Sequence, residues 1–197
     1  MVFLSTEQQK RLLEEAAHTP ATSWLRMAVL IALETGLRLD GVMHLKWDAI
    51  KDGVIYRKVK RDKTVKIPLT EMLKQDLAAH KASLAVPSLT WVFPSPENPN
   101  KPRSKSIQNL FQAACKRANV FVTAEDGRKK NFRFHDLRHT FATMAIKRGV
   151  RLEQVQMLLG HSSITMTRRY AHVDLDDLTA AMKLFDERRG QEEHELD

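Results

Sequence analysis

Apolar residues recur at helical spacing in the first forty and last hundred positions of the chain, and alternate with polar ones in a short stretch between. Leu12, Leu13, Ala16 and Ala17 form the stripe of a first helix. Ser5 or Thr6 is its cap, since each has a Gln three residues on. From Ser23 through Trp24 to Leu33 the apolar residues cover most sides, which predicts a central core helix ending at Gly36. A short helix is expected over Asp40 to Leu45. Between Trp47 and Pro68 the period changes. Asp52-Gly53, flanked by Ala49-Ile50 and Val54-Ile55-Tyr56, predicts a hairpin, and Val65 to Leu69 a third strand returning after the polar turn of Lys60 to Thr64.

Thr70 caps a helix predicted to run to about Ala82, and Pro94, Pro96, Pro99 and Pro102 mark a loop. Ser104 or Ser106 starts a further helix ending near Ala118. Glu125 to Lys130 reads as a charged loop, His135 to Lys147 as a helix closed by Gly149, and Leu152 to Leu159 as one closed by Gly160. A helical turn over Ile164 to Thr167 and a last helix over Leu175 to Arg188 complete the pattern. The fold class is α+β, mainly helical, with one small antiparallel three-stranded sheet.

Length, 197 residues, suits one large domain or two small ones. The longest apolar run, Met27 to Leu33, falls far short of the ~20 residues of a membrane span. Met1-Val-Phe-Leu4 leads directly into polar residues, unlike a signal peptide. Cys115 stands alone, which excludes an intrachain disulfide and a multi-Cys metal site. The expectation is a soluble cytoplasmic protein without membrane association. Charge sharpens this picture. The net +8 is uneven: residues 174–197 hold nine acids against Lys183, Arg188 and Arg189, so that segment is −6 and residues 1–173 carry +14. A body this basic suggests a polyanionic partner, although a generic basic protein has the same composition.

Four segments could carry chemistry. In His135-Asp-Leu-Arg138-His139-Thr, helical spacing puts Leu137, Phe141 and Met144 on one face, the expected core face. His135, Arg138, His139 and Ala142 share the other. His135 and His139 have the i, i+4 spacing of zinc ligands, but Asp136 stands where a zincin has Glu and no third ligand is evident. In Leu159-Gly160-His161 with Tyr170 nine residues later, an aromatic following two arginines is compatible with a half-buried, unreactive ring. Thr35-Gly36-Leu37-Arg38 puts an Arg at the exit of the core helix. Arg57-Lys58-Val-Lys60-Arg61-Asp-Lys63-Thr-Val-Lys66 offers an ammonium for a phosphate, or simply a solvated hairpin edge.

Taken in order, Arg38, a hairpin Lys, His135-x-x-Arg138, Gly160-His161 and Tyr170 resemble the catalytic signature of the tyrosine recombinases, or phage-type integrases. The resemblance runs from the first helix to the acidic tail. It implies a catalytic domain over residues 1–173 that performs site-specific DNA recombination or integration, and a C-terminal helix and acidic tail over 174–197. Tyr170 would attack a phosphodiester to give a 3′-phosphotyrosine, with rejoining that needs neither ATP nor a metal or other cofactor. Arg38 and Arg138 would clamp the non-bridging oxygens and His161 would add a hydrogen bond. His135 would handle the phenolic proton. Lys60 would protonate the leaving 5′-oxygen; it is preferred to Lys63 because its eight-residue interval to Pro68 matches the family's hairpin.

The resemblance also implies double-stranded DNA as partner, with a monomer in its absence and a tetramer on recombining duplexes. An N-terminal DNA-binding domain usual in the family is expected to be absent here. The family's acid three places after the first Arg is Gly41 in this chain, with Asp40 one step earlier as a substitute. Other readings of the same residues are a non-catalytic DNA-binding fragment and a type IB-like topoisomerase.

Overall fold

The computed structural model describes residues 3–19, 22–59, 64–84, 90–103, 107–123, 127–161, 163–168 and 170. The first helix, α1 (Thr6–Ala16), starts where the sequence requires: the Ser5 hydroxyl accepts from the Gln8 amide, and the Gln8 side chain accepts from the Ser5 amide. Leu12 and Ala16 are its buried positions. Ten of the thirteen residues of α2 (Ser23–Thr35) are buried, so α2 is the axis on which α1 and the later helices over Glu71–Ser83, Ile107–Arg117 and Asp136–Lys147 pack. It stops at Gly36 in the left-handed conformation, and the chain turns into the short α3 (Leu39–Met43).

The sheet has the order β1-β2-β3, with β1 (Ile50–Lys51), β2 (Val54–Lys58) and β3 (Thr64–Pro68) antiparallel throughout. Asp52 and Gly53 both take positive φ, the geometry of the tight hairpin turn that this dipeptide favours. The register sets Ile55 opposite Ile67 and Arg57 opposite Val65. Ile55, Val65 and Ile67 are buried, so this face of the hairpin meets the core. Helix α4 (Glu71–Ser83) is capped by Thr70, and α5 (Ile107–Arg117), α6 (Asp136–Lys147), α7 (Leu152–Leu159) and α8 (Thr165–Arg168) follow. The mainly helical α+β class with a three-stranded sheet is therefore the one observed.

Two expectations need correction. Between α5 and α6, part of the expected charged loop is a second hairpin, β4 (Phe121–Thr123) paired with β5 (Lys129–Asn131). All of β5 is exposed, so Lys-Lys-Asn shows no apolar alternation; one contact that steadies it is the Lys129 ammonium 3.8 Å from the Phe121 ring centre. The second correction concerns α6. Leu137 is buried as expected, but Phe141 and Met144 are only half-buried, whereas Arg138 and Ala142 are buried on the face expected to point outward. That face is covered: Ala142 packs with Val155, Leu159 and Tyr170 in a small separate core. The expected last helix over Leu175 to Arg188 lies outside the described residues.

Candidate functional site

Arg138 is the centre of the covered face. It is 2% exposed, and its guanidinium donates to the Gly36 carbonyl and to the Leu159 carbonyl, both at 2.8 Å. These are the terminal carbonyls of α2 and α7, each helix ending on a glycine at φ 66°. A helix C-terminus leaves carbonyls unsatisfied and carries partial negative charge, so two such ends make a socket for one cation. Burial pushes the Arg138 pKa down to about 10; Arg38 and then Arg57 add to the shift, while Tyr170 opposes it. The group stays charged at neutral pH. Gly36 is pinned for a second reason: a Cβ there would stand 2.6 Å from Leu159 Cδ2 and Phe141 Cδ1.

Arg38 follows this glycine as the extended residue before α3, and its side chain is exposed. It lies close enough to Arg138, Arg57 and His135 to depress the pKa of all three. His135 precedes α6, whose first residue, Asp136, is buried and accepts from the Arg133 amide at 2.8 Å, fixing the helix start. Burial first, then Arg138 and Arg38, lower the His135 pKa below its ordinary value, so its imidazole is neutral at pH 7. His135 and His139 meet edge to face with ring centres 5.0 Å apart, and among the described residues no third metal ligand joins them.

Tyr170 is 5% exposed and lies over Ala142, whose small side chain admits the ring. Its hydroxyl shares a 2.7 Å hydrogen bond with His139 Nδ1. This partner is the second histidine of the motif, one helical turn beyond His135, to which the resemblance assigns the phenolic proton. The burial of Tyr170 against α7 sets which of the two it reaches. His161 follows the Gly160 turn, and its Nδ1 is 2.9 Å from the hydroxyl of fully buried Thr167, which fixes the ring. Lys60 lies outside the described residues. The hairpin it belongs to abuts the His161 turn: a Cβ on Gly160 would lie 3.0 Å from Val65 Cγ2 and 3.8 Å from Val59 Cγ1.

Four of the six expected residues share one electrostatic neighbourhood: Arg38, His135 and Tyr170 each lie close enough to Arg138 for their charges to act on one another. His161 belongs to the turn after α7, the helix whose last carbonyl Arg138 grips. Sequence reasoning missed three participants. His139 was placed on the correct face without a partner. Thr167 carried no signal. Arg57 was absorbed into a basic run, although the alternation of β2 sets it on the same face as buried Ile55, between exposed Tyr56 and Lys58. Asp40, the suggested substitute for an acid at position 41, turns its carboxylate to His44 Nδ1 at 2.9 Å.

Comparison with known proteins follows the same lines. The model of the Phage integrase family matches residues 2–176. The integrase of Salmonella phage P22 is 30% identical over 206 residues, covering 93% of this chain and 47% of that protein. Tyrosine recombinase XerA of Thermococcus kodakarensis is 28% identical, covering 91% of this chain and 61% of its own length. The chain thus spans about half the length of these curated relatives. Among solved structures, the catalytic domain of bacteriophage HP1 integrase superposes with a TM-score of 0.68 at 25% identity, over 93% of this chain and 94% of that one. A XerA recombinase crystal structure gives a TM-score of 0.72 at 24% identity, covering 94% and 64% respectively, and supports the fold.

Proposed function

Because the chain belongs to the phage integrase family, we propose that it is the catalytic part of a site-specific tyrosine recombinase acting on double-stranded DNA. The observation that carries this reading is the phenol of Tyr170, held at 2.7 Å by His139 and electrostatically coupled to a buried, charged Arg138 that Arg38 adjoins. A phosphodiester anion brought to the guanidiniums meets a nucleophile already in place. Tyr170 Oη forms a bond to phosphorus, the bond from phosphorus to the 5′-oxygen breaks, and the products are a 3′-phosphotyrosine and a 5′-hydroxyl. Arg38 and Arg138 stabilise the charge that grows on the non-bridging oxygens, and a planar fork suits that task better than an ammonium. His161 adds a hydrogen bond to the same phosphate.

The ordinary tyrosine pKa near 10 leaves little phenolate at neutral pH, so the phenolic proton needs an acceptor. His139 has the shorter path to it. His135, neutral beside two guanidiniums, then serves the phosphate side of the site. Lys60 donates the proton to the leaving 5′-oxygen. The phosphotyrosine retains the phosphodiester bond's free energy, so a 5′-hydroxyl from another strand reverses the reaction without ATP. Such a protein works on DNA in the cytoplasm, as a monomer alone and a tetramer on two duplexes; no described helix is long and apolar enough to cross a membrane.

In this reading residues 174–197 are a separate functional unit. A groove of about 690 Å³ between α1, α2 and α6 is lined by Leu30, Leu33, Phe141, Met144, Ala145 and Val150 among others. The apolar stripe Leu175, Leu178, Met182 and Phe185 suits it, and the −6 segment complements a +14 body.

The test is covalent capture. A library of nicked duplexes with a randomised core is incubated with the protein, and DNA that stays attached under denaturing conditions is recovered. The reading expects an adduct that Tyr170→Phe abolishes. Binding without any adduct favours a non-catalytic fragment, and relaxation of supercoils without strand exchange favours a topoisomerase.

A further inference from the structure

Among the described residues one cation near Arg38 and Arg138 is not accounted for by the expected set. Arg57 lies on β2 with its side chain on the face shared by buried Ile55, opposite buried Val65. That direction takes its guanidinium onto α3. A Cβ built on Gly41 would stand 3.5 Å from both Cζ and Nε of Arg57, so the planar group lies where a side chain at position 41 would touch it. Gly41 has no positive φ, and its backbone would accept any residue. A Cβ here would make ordinary contact with Arg57 and with Leu37 Cδ2, so the packing does not require glycine, but glycine brings no polar side chain to the guanidinium.

This guanidinium is half-buried, yet among the described residues no carboxylate lies within ion-pair distance of it. Asp40 is the acid that acts on it, but that carboxylate is 86% exposed and turned to His44. Its other charged neighbours among the described residues are cations. Arg38 acts on Arg57, and Arg57 in turn acts on Arg138. Three guanidiniums from three separate elements therefore share one region. Burial and mutual repulsion both weigh against that arrangement, and an anion placed among them relieves both. A solvated hairpin edge would have pointed Arg57 outward, as Tyr56 and Lys58 point.

We propose that Arg57 is a third guanidinium of the phosphate site, binding the same DNA phosphate as Arg38 and Arg138, and that Gly41 sets no side chain beside it to compete with that phosphate. The proposal rests on the recombinase reading above. It implies that an acid introduced at position 41 would sequester Arg57 and silence it without removing it.

Two measurements test this. The first uses a duplex recovered by covalent capture, made with either an ordinary scissile phosphate or an uncharged methylphosphonate. Arg57→Met should slow cleavage of the ordinary duplex by about 10²-fold, the usual effect of removing one donor to the transition-state anion. On the methylphosphonate duplex the variant and the unaltered protein should agree within about twofold, because the charge served by Arg57 is gone. Gly41→Asp should reproduce the loss, and the double variant should be no slower than Arg57→Met alone. Equal rates on the ordinary duplex, or the same defect on both duplexes, would overturn the proposal. If Arg57→Met fails to fold, Gly41→Asp and Arg57→Lys carry the comparison.

The second measurement needs no cleavage. The salt dependence of binding to a random 30-bp duplex should lose about one unit of slope in Arg57→Met, as for one phosphate contact. An unchanged slope would overturn the assignment even if the unaltered protein formed no adduct, a result that would count separately against the recombinase reading.

Discussion

Replacing Arg138 by Lys isolates what the guanidinium fork contributes, because the positive charge stays. Lys is shorter: its Nζ falls near the position of Arg Cζ, about 1.3 Å behind the two terminal nitrogens. The carbonyls of Gly36 and Leu159, each 2.8 Å from one of those nitrogens, therefore stand about 1 Å beyond reach of a single ammonium. Repulsion from Arg38 and Arg57 is unchanged. Hydrogen bonds to charged groups contribute about 1.5–3 kcal/mol each, so losing the pair costs about 3 kcal/mol even at the low end. For a chain of this length that corresponds to a fall in Tm of about 6–12 °C. Thermal unfolding at fixed pH and salt measures it, and cleavage should drop by about 10²-fold or more as the planar fork is lost. A Tm within about 2 °C of the unaltered protein would refute the claim that Arg138 ties the ends of α2 and α7 together.

Other consequences follow from the same geometry. His135 has a depressed pKa, so its stabilising contribution is whole above about 6.5 and is lost as pH falls through the lower folded value. Tm should fall between pH 7.5 and 5, and fall less in His135→Gln; His80, shifted the same way, accounts for part of the remainder. An identical pH dependence in the variant would contradict this. Of the two tyrosines, Tyr56 is 38% exposed and Tyr170 5%, so tetranitromethane should modify Tyr56 first in the DNA-free protein, and His139→Ala should raise the rate at Tyr170. Equal rates in the unaltered protein would mean the phenol is not seated. Gly36→Ala should cost about 2–5 kcal/mol in urea unfolding, combining the left-handed backbone with the 2.6 Å contacts to Leu159 and Phe141.

The sequence carried the elements whose signals are local. Ser5 with Gln8, Thr70, Gly36, Gly160 and Asp52-Gly53 each satisfy a backbone requirement within a few residues, and the structure uses all of them. The features it did not carry depend on distant partners. Helix α6 has apolar residues on the face opposite Arg138, so its period points the wrong way; the burial of Arg138 is caused by carbonyls 102 and 21 residues away. Whether His135 or His139 meets the phenol depends on how α7 seats Tyr170, which no spacing within the motif encodes. Arg57 was readable from the alternation of β2, but five neighbouring bases masked it. The hairpin β4–β5 lies at the surface with little burial to pattern it.

The central claim is that Tyr170 attacks a DNA phosphate held by the guanidiniums around Arg138. Tryptic digestion of a captured protein–DNA adduct, followed by mass spectrometry, tests it directly. The account predicts DNA joined through its 3′-phosphate to the peptide spanning residues 170–183, which contains Tyr170. Attachment to the peptide spanning 52–57, which contains Tyr56, or linkage through a 5′-phosphate, would contradict it.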